Sequence, residues 1–271
     1  MIQVSNRIAR GMTGATMAIL LAACGVSQQE EVQMGQQEAQ QVNAQLPILQ
    51  DPVVNQYVNN LGNAIAHTTS RADLDWQFRV VNTSVVNAFA LPGGFIYVNR
   101  GVLDRAASES EVASVLGHEI EHVVERHSVK QMEQMQGANV GVALGCTLLN
   151  VCNSQVAGAA INVAGSAVFA KFSRDDERAA DEGGFRNMVA AGINPTGMLT
   201  MFQRLLAEEK GGSSAVSSWF SDHPGTEDRI ADVQRMLNTM TQAQLNSLRS
   251  NSAAFNQMKQ RLNQLPVASN Q

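Results

Sequence analysis

Three residues in the segment SESEVASVLGHEIEHVVERHSV, residues 108–129, have the types and spacing that bind and use a divalent metal. His118 and His122 stand four positions apart, so on a helix their imidazoles lie on one face and can share a single cation. Glu119 lies beside that pair, where its carboxylate can reach a water molecule on the metal without being a ligand. The pattern predicts metal-assisted hydrolysis with Glu119 as the general base. The competing interpretation is a polar helix end whose histidines face water.

The element that must carry these residues is a buried helix beginning near Glu109. Ser108 and Glu111 form a capping-box pattern, in which the hydroxyl accepts the Glu111 N–H and the carboxylate reaches back. Apolar residues recur at helical spacing along the segment, at Val112, Val115, Leu116, Ile120, Val123 and Val124. His127 comes five positions after His122, so we expect it to lie off the metal-facing side, in a structural role.

Further helices are predicted before and after this segment. Apolar residues at steps of three and four favour a helix from Val32 to Leu46, and Asp51 followed by proline begins a second one. His67 falls at the end of that second helix and is expected to be a surface or capping histidine. Asn194 and the proline after it begin a helix that runs to about Lys210.

Two β-rich stretches, residues 74–81 and 88–99, precede the metal-binding helix, and Pro92-Gly93-Gly94 predicts a turn within the second. The stretch VNAFALPGGFIYVNRGVL from Val86, followed by HEIEH, resembles the gluzincin zinc peptidases. That family includes the CAAX prenyl endopeptidases, the bacterial heat-shock membrane protease and the periplasmic β-barrel assembly-enhancing proteases. The resemblance runs from about Glu31 to about Met240. It implies an α+β, mainly helical, zincin-like metallopeptidase domain over residues 31–240.

The resemblance also implies a third metal ligand. In SRDDERAADEGG, residues 173–184, Glu177 and Asp181 are four positions apart and share one helical face. They match the family's ExxxD motif, which implies that Glu177 is the third zinc ligand and that Asp181 accepts a hydrogen bond from a ligating imidazole, His118. The alternative is a solvated helix face whose acids are balanced by Arg174 and Arg178.

A last family match is His223 followed by Pro224, with Arg229 six positions after the histidine. The resemblance implies that His223 stands near the metal, where it either stabilises the oxyanion or occupies the water site of a resting enzyme. Arg229 would brace that loop or the substrate backbone. The competing interpretation is a loop histidine before a helix capped by Thr226.

In this family the strand before the metal helix is an edge strand over the cleft, where an extended substrate adds as a β-strand. The resemblance therefore implies a small sheet whose edge strand lines the active site, with Asn87, Ala88, Phe89 and Ala90 as its rim. The unpaired backbone groups of an edge strand can recognise a peptide backbone, which makes the role physically sound. The alternative is an ordinary edge strand.

The N-terminus has the features of a targeting segment. Arg7 and Arg10 precede a short apolar run that ends at Cys24, so residues 1–23 are predicted to be a signal peptide. LAAC resembles a bacterial lipobox, which implies lipidation of Cys24 and a tether over residues 24–30. Gly25 and Val26 lack an aspartate that would resemble an inner-membrane retention signal, which favours the outer membrane. The alternative is an ordinary signal peptide with an accidental cysteine.

Composition narrows the function further. The formal net charge is −5, and the chain without its first 23 residues carries −7, which argues against a nucleic-acid partner. Cys146 and Cys152 would share an oxidising compartment, where a disulfide and two buried thiols are both open. Residues 134–170 contain no charged residue and predict two close-packed helices joined around residues 150–155. Residues 241–271 are predicted to form a C-terminal helical tail.

These observations together predict a zinc endopeptidase with one Zn²⁺ per chain. Its expected substrates are misfolded or unfolded envelope proteins, met on the periplasmic face of the outer membrane, where a lipid anchor holds the chain and outer-membrane assembly machinery could be a partner. Two alternatives stay open: a proteolytically weak, chaperone-like binding module for outer-membrane protein assembly, and a metal-dependent hydrolase of a non-peptide bond.

Overall fold

A computed structural model describes residues 25–135 and 172–268 of the protein. Helices predominate, and a three-stranded sheet packs among them, so the predicted α+β class is confirmed. The helices are α1 Gln28–Gln45, α2 Pro52–Ala66, α3 Arg100–Arg105, α4 Glu109–Val124, α5 Arg174–Ala190, α6 Thr196–Lys210, α7 Ser217–Asp222, α8 Thr226–Leu237, α9 Gln242–Ser247 and α10 Ala253–Leu262. Residues 127–135 are also helical, and Ser214–Val216 form a 3₁₀ turn.

Several predictions fall outside the described residues. These are the signal peptide over residues 1–23, the lipidation site Cys24, the helix pair around residues 150–155, and the cysteines Cys146 and Cys152. Within the described ranges, no helix is both long enough and apolar enough to cross a bilayer.

The sheet consists of β1 Gln77–Val81, β2 Ala88–Leu91 and β3 Phe95–Asn99, in the order β1-β3-β2. β1 runs parallel to β3, and β2 runs antiparallel to it with Ala88 opposite Val98. The turn between β2 and β3 has Gly93 at φ 77° and Gly94 at φ 101°, which only glycine adopts without strain. Because β3 lies between the other two strands, β2 is an edge strand, as the resemblance implied.

The outer edge of β1 is covered by the protein itself. The Leu49 N–H donates to the Val80 carbonyl over 2.8 Å, and the Asn82 N–H donates to the Pro47 carbonyl over 2.8 Å. Earlier along β1, the Asn59 amide donates to the Phe78 carbonyl over 2.8 Å and accepts the Phe78 N–H over 3.3 Å. A side-chain amide thus stands where a neighbouring strand would pair, and this edge is closed to another chain.

The helix α4 lies at the centre of the molecule, packed against α2, α5 and α6. It begins at Glu109, as predicted, with the Ser108 hydroxyl accepting the Glu111 N–H over 3.3 Å. The Glu111 carboxylate accepts the Ala107 N–H over 2.7 Å, so it reaches one residue further back than a capping box requires. A Cβ on Gly184 of α5 would lie 3.0 Å from the backbone of Gly117, so the absence of a side chain lets the two helices approach closely.

The start of the described chain is more ordered than the sequence predicted, and the predicted helical tail packs onto the domain. A Ser27 capping box starts α1 at Gln28, within the range predicted as a tether. The predicted C-terminal tail forms α9 and α10, and Phe255, Met258 and Leu262 of α10 join the main hydrophobic core. This segment is therefore packed onto the domain that it follows.

Two smaller expectations have different outcomes. His67 is the exposed C-cap of α2, which confirms the prediction of a surface or capping histidine. Thr226 does not cap α8, because Gly225 at φ 84° holds the N-cap position and the Thr226 hydroxyl bonds to no described residue. The positive φ explains the difference, since glycine adopts it more easily than a β-branched residue.

Candidate metal centre

The helix α4 buries the three residues that the sequence singled out. His118 and Glu119 are 0% exposed and His122 is 1% exposed, because both flanks of the helix are covered by other helices. The alternative of a polar helix end facing water is therefore wrong. The close approach of α5 brings a second pair of acidic residues to the same place, since Glu177 and Asp181 are also buried.

Four residues with ligand-type atoms meet at this point. The Nε2 atoms of His118 and His122 lie 3.0 Å apart, and they lie 3.4 and 3.5 Å from the Oε2 and Oε1 atoms of Glu177 respectively. The Nδ1 atom of His223 lies 3.3 Å from the His118 Nε2 and 3.3 Å from Glu177 Oε1. Four atoms bound to zinc at about 2.0–2.1 Å in a tetrahedron lie about 3.3–3.4 Å from one another. The cluster therefore has the dimensions of a zinc site.

The chemistry of the donor set also fits zinc. Three imidazole nitrogens and one carboxylate are ligands that this ion prefers, and fully buried groups of this kind are costly unless they are paired or bind a metal. Both carboxylate oxygens of Glu119 are buried and bond to no described donor. Oε1 of Glu119 lies 3.6 Å from His223 Nε2, so the carboxylate stands beside the cluster rather than within it.

The ring of His118 is held by a charged network. Its Nδ1 lies 2.9 Å from Asp181 Oδ1, and the Arg229 guanidinium grips both oxygens of that carboxylate, over 2.7 Å through Nε and 2.8 Å through Nη2. Arg229 Nη1 also lies 2.7 Å from Glu177 Oε2. The predicted partners of the centre are therefore brought together, and the Arg229 side chain contacts the carboxylates of Asp181 and Glu177 rather than bracing the loop or the substrate backbone.

This network sets the protonation of the metal-free site. Burial and Arg229 lower the pKa of His118, but Glu177 and Asp181 outweigh them and raise it to about 9. Burial raises the pKa of Glu177, yet His223, Arg229 and His118 hold it well below its ordinary value. Burial raises the pKa of Glu119. Glu177 is thus kept as a carboxylate, and the buried Glu119 is made more basic.

The ring of His122 has a different environment. Burial lowers its pKa to about 3. Its Nδ1 lies 2.8 Å from His127 Nδ1, and the Phe172 ring stacks on it with the ring centroids 4.0 Å apart. His127 does not belong to the ligand cluster, as predicted, but it lies directly against the ring of His122. A turn after α4 brings it back, and no periodic pattern in the sequence signals that turn.

His223 is carried by the end of α7. Its N–H donates to the Trp219 carbonyl over 2.8 Å, and its ring lies against the Trp219 ring with centroids 4.5 Å apart. The last residue of the helix, Asp222, accepts a hydrogen bond of 2.9 Å from the Asn87 side chain. The segment that places His223 is therefore fastened to the start of the edge strand β2.

The predicted substrate rim is buried to different degrees. Asn87 and Ala88 are 8% and 1% exposed, whereas Phe89 and Ala90 are partly exposed. The Asn99 N–H donates to the Asn87 carbonyl over 2.9 Å, so Asn87 faces β3. Because the direction alternates along an antiparallel strand, the backbone groups of Ala88 and Ala90 are directed away from β3. The Asn87 side chain itself accepts the Ala88 N–H over 3.0 Å.

Comparison with known proteins gives a family. Residues 52–237 match peptidase family M48. The chain is 32% identical over 218 residues to the β-barrel assembly-enhancing protease of Escherichia coli (strain K12), covering 78% of this chain and 44% of the relative. It is 30% identical over 181 residues to the mitochondrial metalloendopeptidase OMA1 of Schizosaccharomyces pombe (strain 972), covering 67% and 52%. It is also 28% identical over 186 residues to the metalloprotease LoiP of E. coli (strain K12), covering 68% and 71%.

The chain spans less than half the length of the β-barrel assembly-enhancing protease that it matches. The matched region nevertheless contains the whole buried cluster of His118, His122, Glu177 and His223. The resemblance inferred from the sequence is confirmed, and so is the expectation of zinc as the cofactor. The chain therefore belongs to peptidase family M48, a family of zinc metallopeptidases.

Proposed function

We propose that this protein is a zinc-dependent endopeptidase that cleaves unfolded or misfolded proteins of the bacterial envelope. The observation that carries the proposal is the buried cluster of His118, His122, Glu177 and His223, whose ligand atoms lie within 4.8 Å of one another, with the orphaned Glu119 carboxylate next to it. His118, His122 and Glu177 would hold the ion. A zinc ion bound there would supply a Lewis acid for the scissile carbonyl and for the attacking water.

Glu119 is the general base in this proposal. Its carboxylate takes a proton from the attacking water and later delivers that proton to the leaving amine. The burial that raises its pKa suits both steps, because a general base works best when its pKa is near the working pH. Asp181 holds the His118 ring by accepting from Nδ1, and Arg229 holds Asp181.

The substrate would lie extended along β2. The Ala88 carbonyl and both backbone groups of Ala90 are directed outward and can pair with a peptide backbone. The opposite edge of the sheet is closed by Asn59, so strand addition is directed to β2. Backbone pairing recognises an extended segment whatever its side chains, which suits substrates that are unfolded.

An Ala90→Pro variant tests the strand. Proline removes the outward N–H, yet it is tolerated on edge strands, so the fold and zinc content should be kept while KM for a long unfolded substrate rises. Ala90→Val is the matched control, because it changes the side chain and keeps the N–H. An unchanged KM in the proline variant would exclude strand addition at this residue.

His223 must leave the fourth ligand position before water can enter. The Nδ1 atom of His223 lies 3.3 Å from His118 Nε2 and 3.3 Å from Glu177 Oε1, a spacing expected of two ligands on one zinc ion. This supports a resting state in which His223 occupies the fourth position. Of the two roles implied by the resemblance, occupation of the water site is the one this geometry favours. Release of the contact between Asn87 and Asp222 would free the segment that carries it.

The cellular setting is also a proposal. Arg7, Arg10 and Cys24 support export and lipidation, which would place the domain on the periplasmic face of the outer membrane. The E. coli relative is named for enhancing β-barrel assembly, and we extend this setting to the present chain. Its substrates would then include outer-membrane β-barrel proteins that fail to fold, and the assembly machinery would be a partner.

One experiment tests the central proposal. Zinc stoichiometry is measured on the full chain alongside cleavage of an unfolded outer-membrane β-barrel protein. We expect one zinc per chain, cleavage that a chelator abolishes, and no cleavage by Glu119→Gln, which should keep its zinc and its fold. Unchanged turnover in Glu119→Gln would refute the role of Glu119. An ester tested in parallel separates a peptidase from a hydrolase of another bond.

The closed position of His223 favours one second candidate, a chaperone-like module with weak proteolysis. In that case the Glu119→Gln variant would suppress aggregation of the unfolded substrate as well as the wild type does. The wild type would also leave the substrate uncut at concentrations that prevent aggregation. Cleavage at substoichiometric enzyme would exclude this candidate.

A further inference from the structure

The two ring nitrogens of His122 have different partners. Nε2 points into the ligand cluster, 3.0 Å from His118 Nε2 and 3.5 Å from Glu177 Oε1. Nδ1 points away from the cluster and lies 2.8 Å from Nδ1 of His127. Both rings are buried, with His122 1% and His127 5% exposed.

The positions of the protons follow from this geometry. A ring nitrogen that binds a metal carries no proton, so a neutral His122 with Nε2 on the metal carries its proton on Nδ1. Two facing ring nitrogens form a hydrogen bond only when one of them carries a proton. His127 Nδ1 must therefore be the acceptor, and the proton of His127 is on Nε2, which lies 3.5 Å from Asp176 Oδ1.

We propose that His127 is a positioning residue of the metal centre, which fixes the tautomer and orientation of His122 by accepting its Nδ1–H. The inference rests on the proposed zinc site and names a residue that acts through a ligand. Ligating histidines usually donate their second N–H to a carboxylate, a backbone carbonyl or water. Here a neutral imidazole has that place, with Asp176 behind it.

A left-handed turn makes this contact. The helix α4 ends at Val124, and Arg126 has φ 57°, a left-handed conformation that is strained for a residue other than glycine. On an uninterrupted helix, residues five positions apart face different sides, but the turn swings His127 back towards His122. The Phe172 ring stacks on His122 and limits its rotation.

Arg126 is itself held by a buried acid. Its Nε donates to Glu31 Oε2 over 2.8 Å, and its Nη2 contacts the Val26 carbonyl. Glu31 is 0% exposed and also accepts from Arg71 over 2.7 Å and from the Gly93 N–H over 3.1 Å. These bonds offset the strain of the turn and keep the His127 ring where it meets His122.

Two substitutions separate the acceptor from the volume of the ring. In His127→Asn the side-chain oxygen can stand where Nδ1 stands and can accept the same proton. In His127→Leu a residue of similar size has no acceptor. We expect His127→Leu to bind zinc about 10–100-fold more weakly than the wild type, and His127→Asn to stay close to the wild type. His67→Leu is the matched control and should not change zinc affinity, because His67 is exposed and does not belong to the cluster.

Zinc affinity is measured on the full chain by competition with a chromophoric chelator. Wild-type affinity in His127→Leu would overturn the proposal, and so would an equal loss in the asparagine and leucine variants, since that would assign the effect to packing. If the wild type binds no zinc, the proposed function fails. If the wild type binds zinc and the leucine variant binds it as tightly, only the role of His127 fails.

A second measurement uses the wild type alone, so its outcome does not depend on whether a variant folds. Long-range ¹H–¹⁵N correlation on the zinc-loaded wild type reports which ring nitrogens carry protons. We expect His122 protonated at Nδ1 and His127 protonated at Nε2 alone. A proton on Nδ1 of His127 would overturn the proposal, since that nitrogen could not then accept.

Discussion

The two imidazoles that α4 contributes to the metal centre have unlike surroundings. His118 is held by Asp181, which Arg229 grips through two hydrogen bonds, so one ring is supported by full charges. His122 contacts the neutral ring of His127 and the Phe172 ring. The difference is visible in the metal-free protein, where the pKa of His118 is raised to about 9 and that of His122 is lowered to about 3. One helix can thus supply two ligands of the same type with opposite protonation.

The largest effect should come from removing either of the two imidazole ligands of α4. We expect His122→Ala and His118→Ala to lose stoichiometric zinc and at least several kcal/mol of transition-state stabilisation, on the order of 10³-fold in kcat/KM. Metal analysis after dialysis, together with cleavage of an unfolded substrate, measures both. Full zinc content in either variant would show that the two rings do not share one ion.

The next largest effect should come from removing the charged support of His118. Asp181→Asn keeps the shape of the side chain but removes the carboxylate that Arg229 and His118 share, so zinc affinity should fall about 10–100-fold. The metal-free variant should also be less stable at neutral pH. The pKa of Asp181 is lower in the folded protein than in the unfolded chain. The variant should therefore be less stable than the wild type at any pH above the unfolded-state pKa, and this difference should shrink as the pH falls through the folded-state pKa.

Thermal unfolding of the metal-free protein between pH 7 and about pH 2 checks the second part, because the folded-state pKa of Asp181 lies below its ordinary value. Asp175→Asn is the matched control, because this acid lies in the first turn of the same helix with its side chain 89% exposed. Its ion pair with Arg178 contributes little, as exposed pairs do. If Asp175→Asn lowered zinc affinity as much as Asp181→Asn does, the effect would come from helix charge rather than from the contact with His118.

The difference in protonation predicts a pH dependence of zinc binding. Below pH about 9 zinc must displace a proton from His118, whereas His122 is already neutral above pH about 3. Affinity should therefore rise about tenfold per pH unit up to about 9, with about one proton released per zinc at neutral pH. Calorimetry in buffers of different ionisation enthalpy counts the protons. Two protons released would mean that both rings are charged in the metal-free protein.

The smallest effect concerns His223, which contacts the charged side through His118 and Glu177. His223→Ala should open the fourth ligand position, lower zinc affinity slightly and raise kcat/KM a few-fold. Steady-state cleavage of an unfolded substrate measures this change. A fall in kcat with unchanged zinc content would instead assign His223 to oxyanion stabilisation.

Much of the site was open to prediction because it depends on local geometry. His118, Glu119 and His122 lie on one helix, where spacing alone decides which side chains share a face, and the start of α4 follows from the Ser108 cap. Glu177 and Asp181 form a similar pair on α5. That the two pairs meet was implied by the resemblance to known peptidases, since they are separated by more than fifty residues and no local rule brings them together.

Other features could not be predicted because distant segments decide them. The packing of α10 onto the main core depends on contacts with the rest of the domain. The closure of the β1 edge depends on Asn59 of α2, and the fastening of His223 depends on a bond from Asn87 to Asp222. These are single hydrogen bonds between elements far apart in the chain, and they have no periodic signal.

The amino-acid sequence by itself therefore determined the metal-binding helix, the spacing of its ligands and the class of chemistry, because helical hydrogen bonding converts spacing directly into position. Only the tertiary structure decided what stands behind each ligand. His127 is the clearest case: continuation of α4 would turn it away from His122, whereas the left-handed turn at Arg126 brings it within 2.8 Å. That turn persists because the buried Glu31, nearly a hundred residues earlier, bonds to the Arg126 guanidinium.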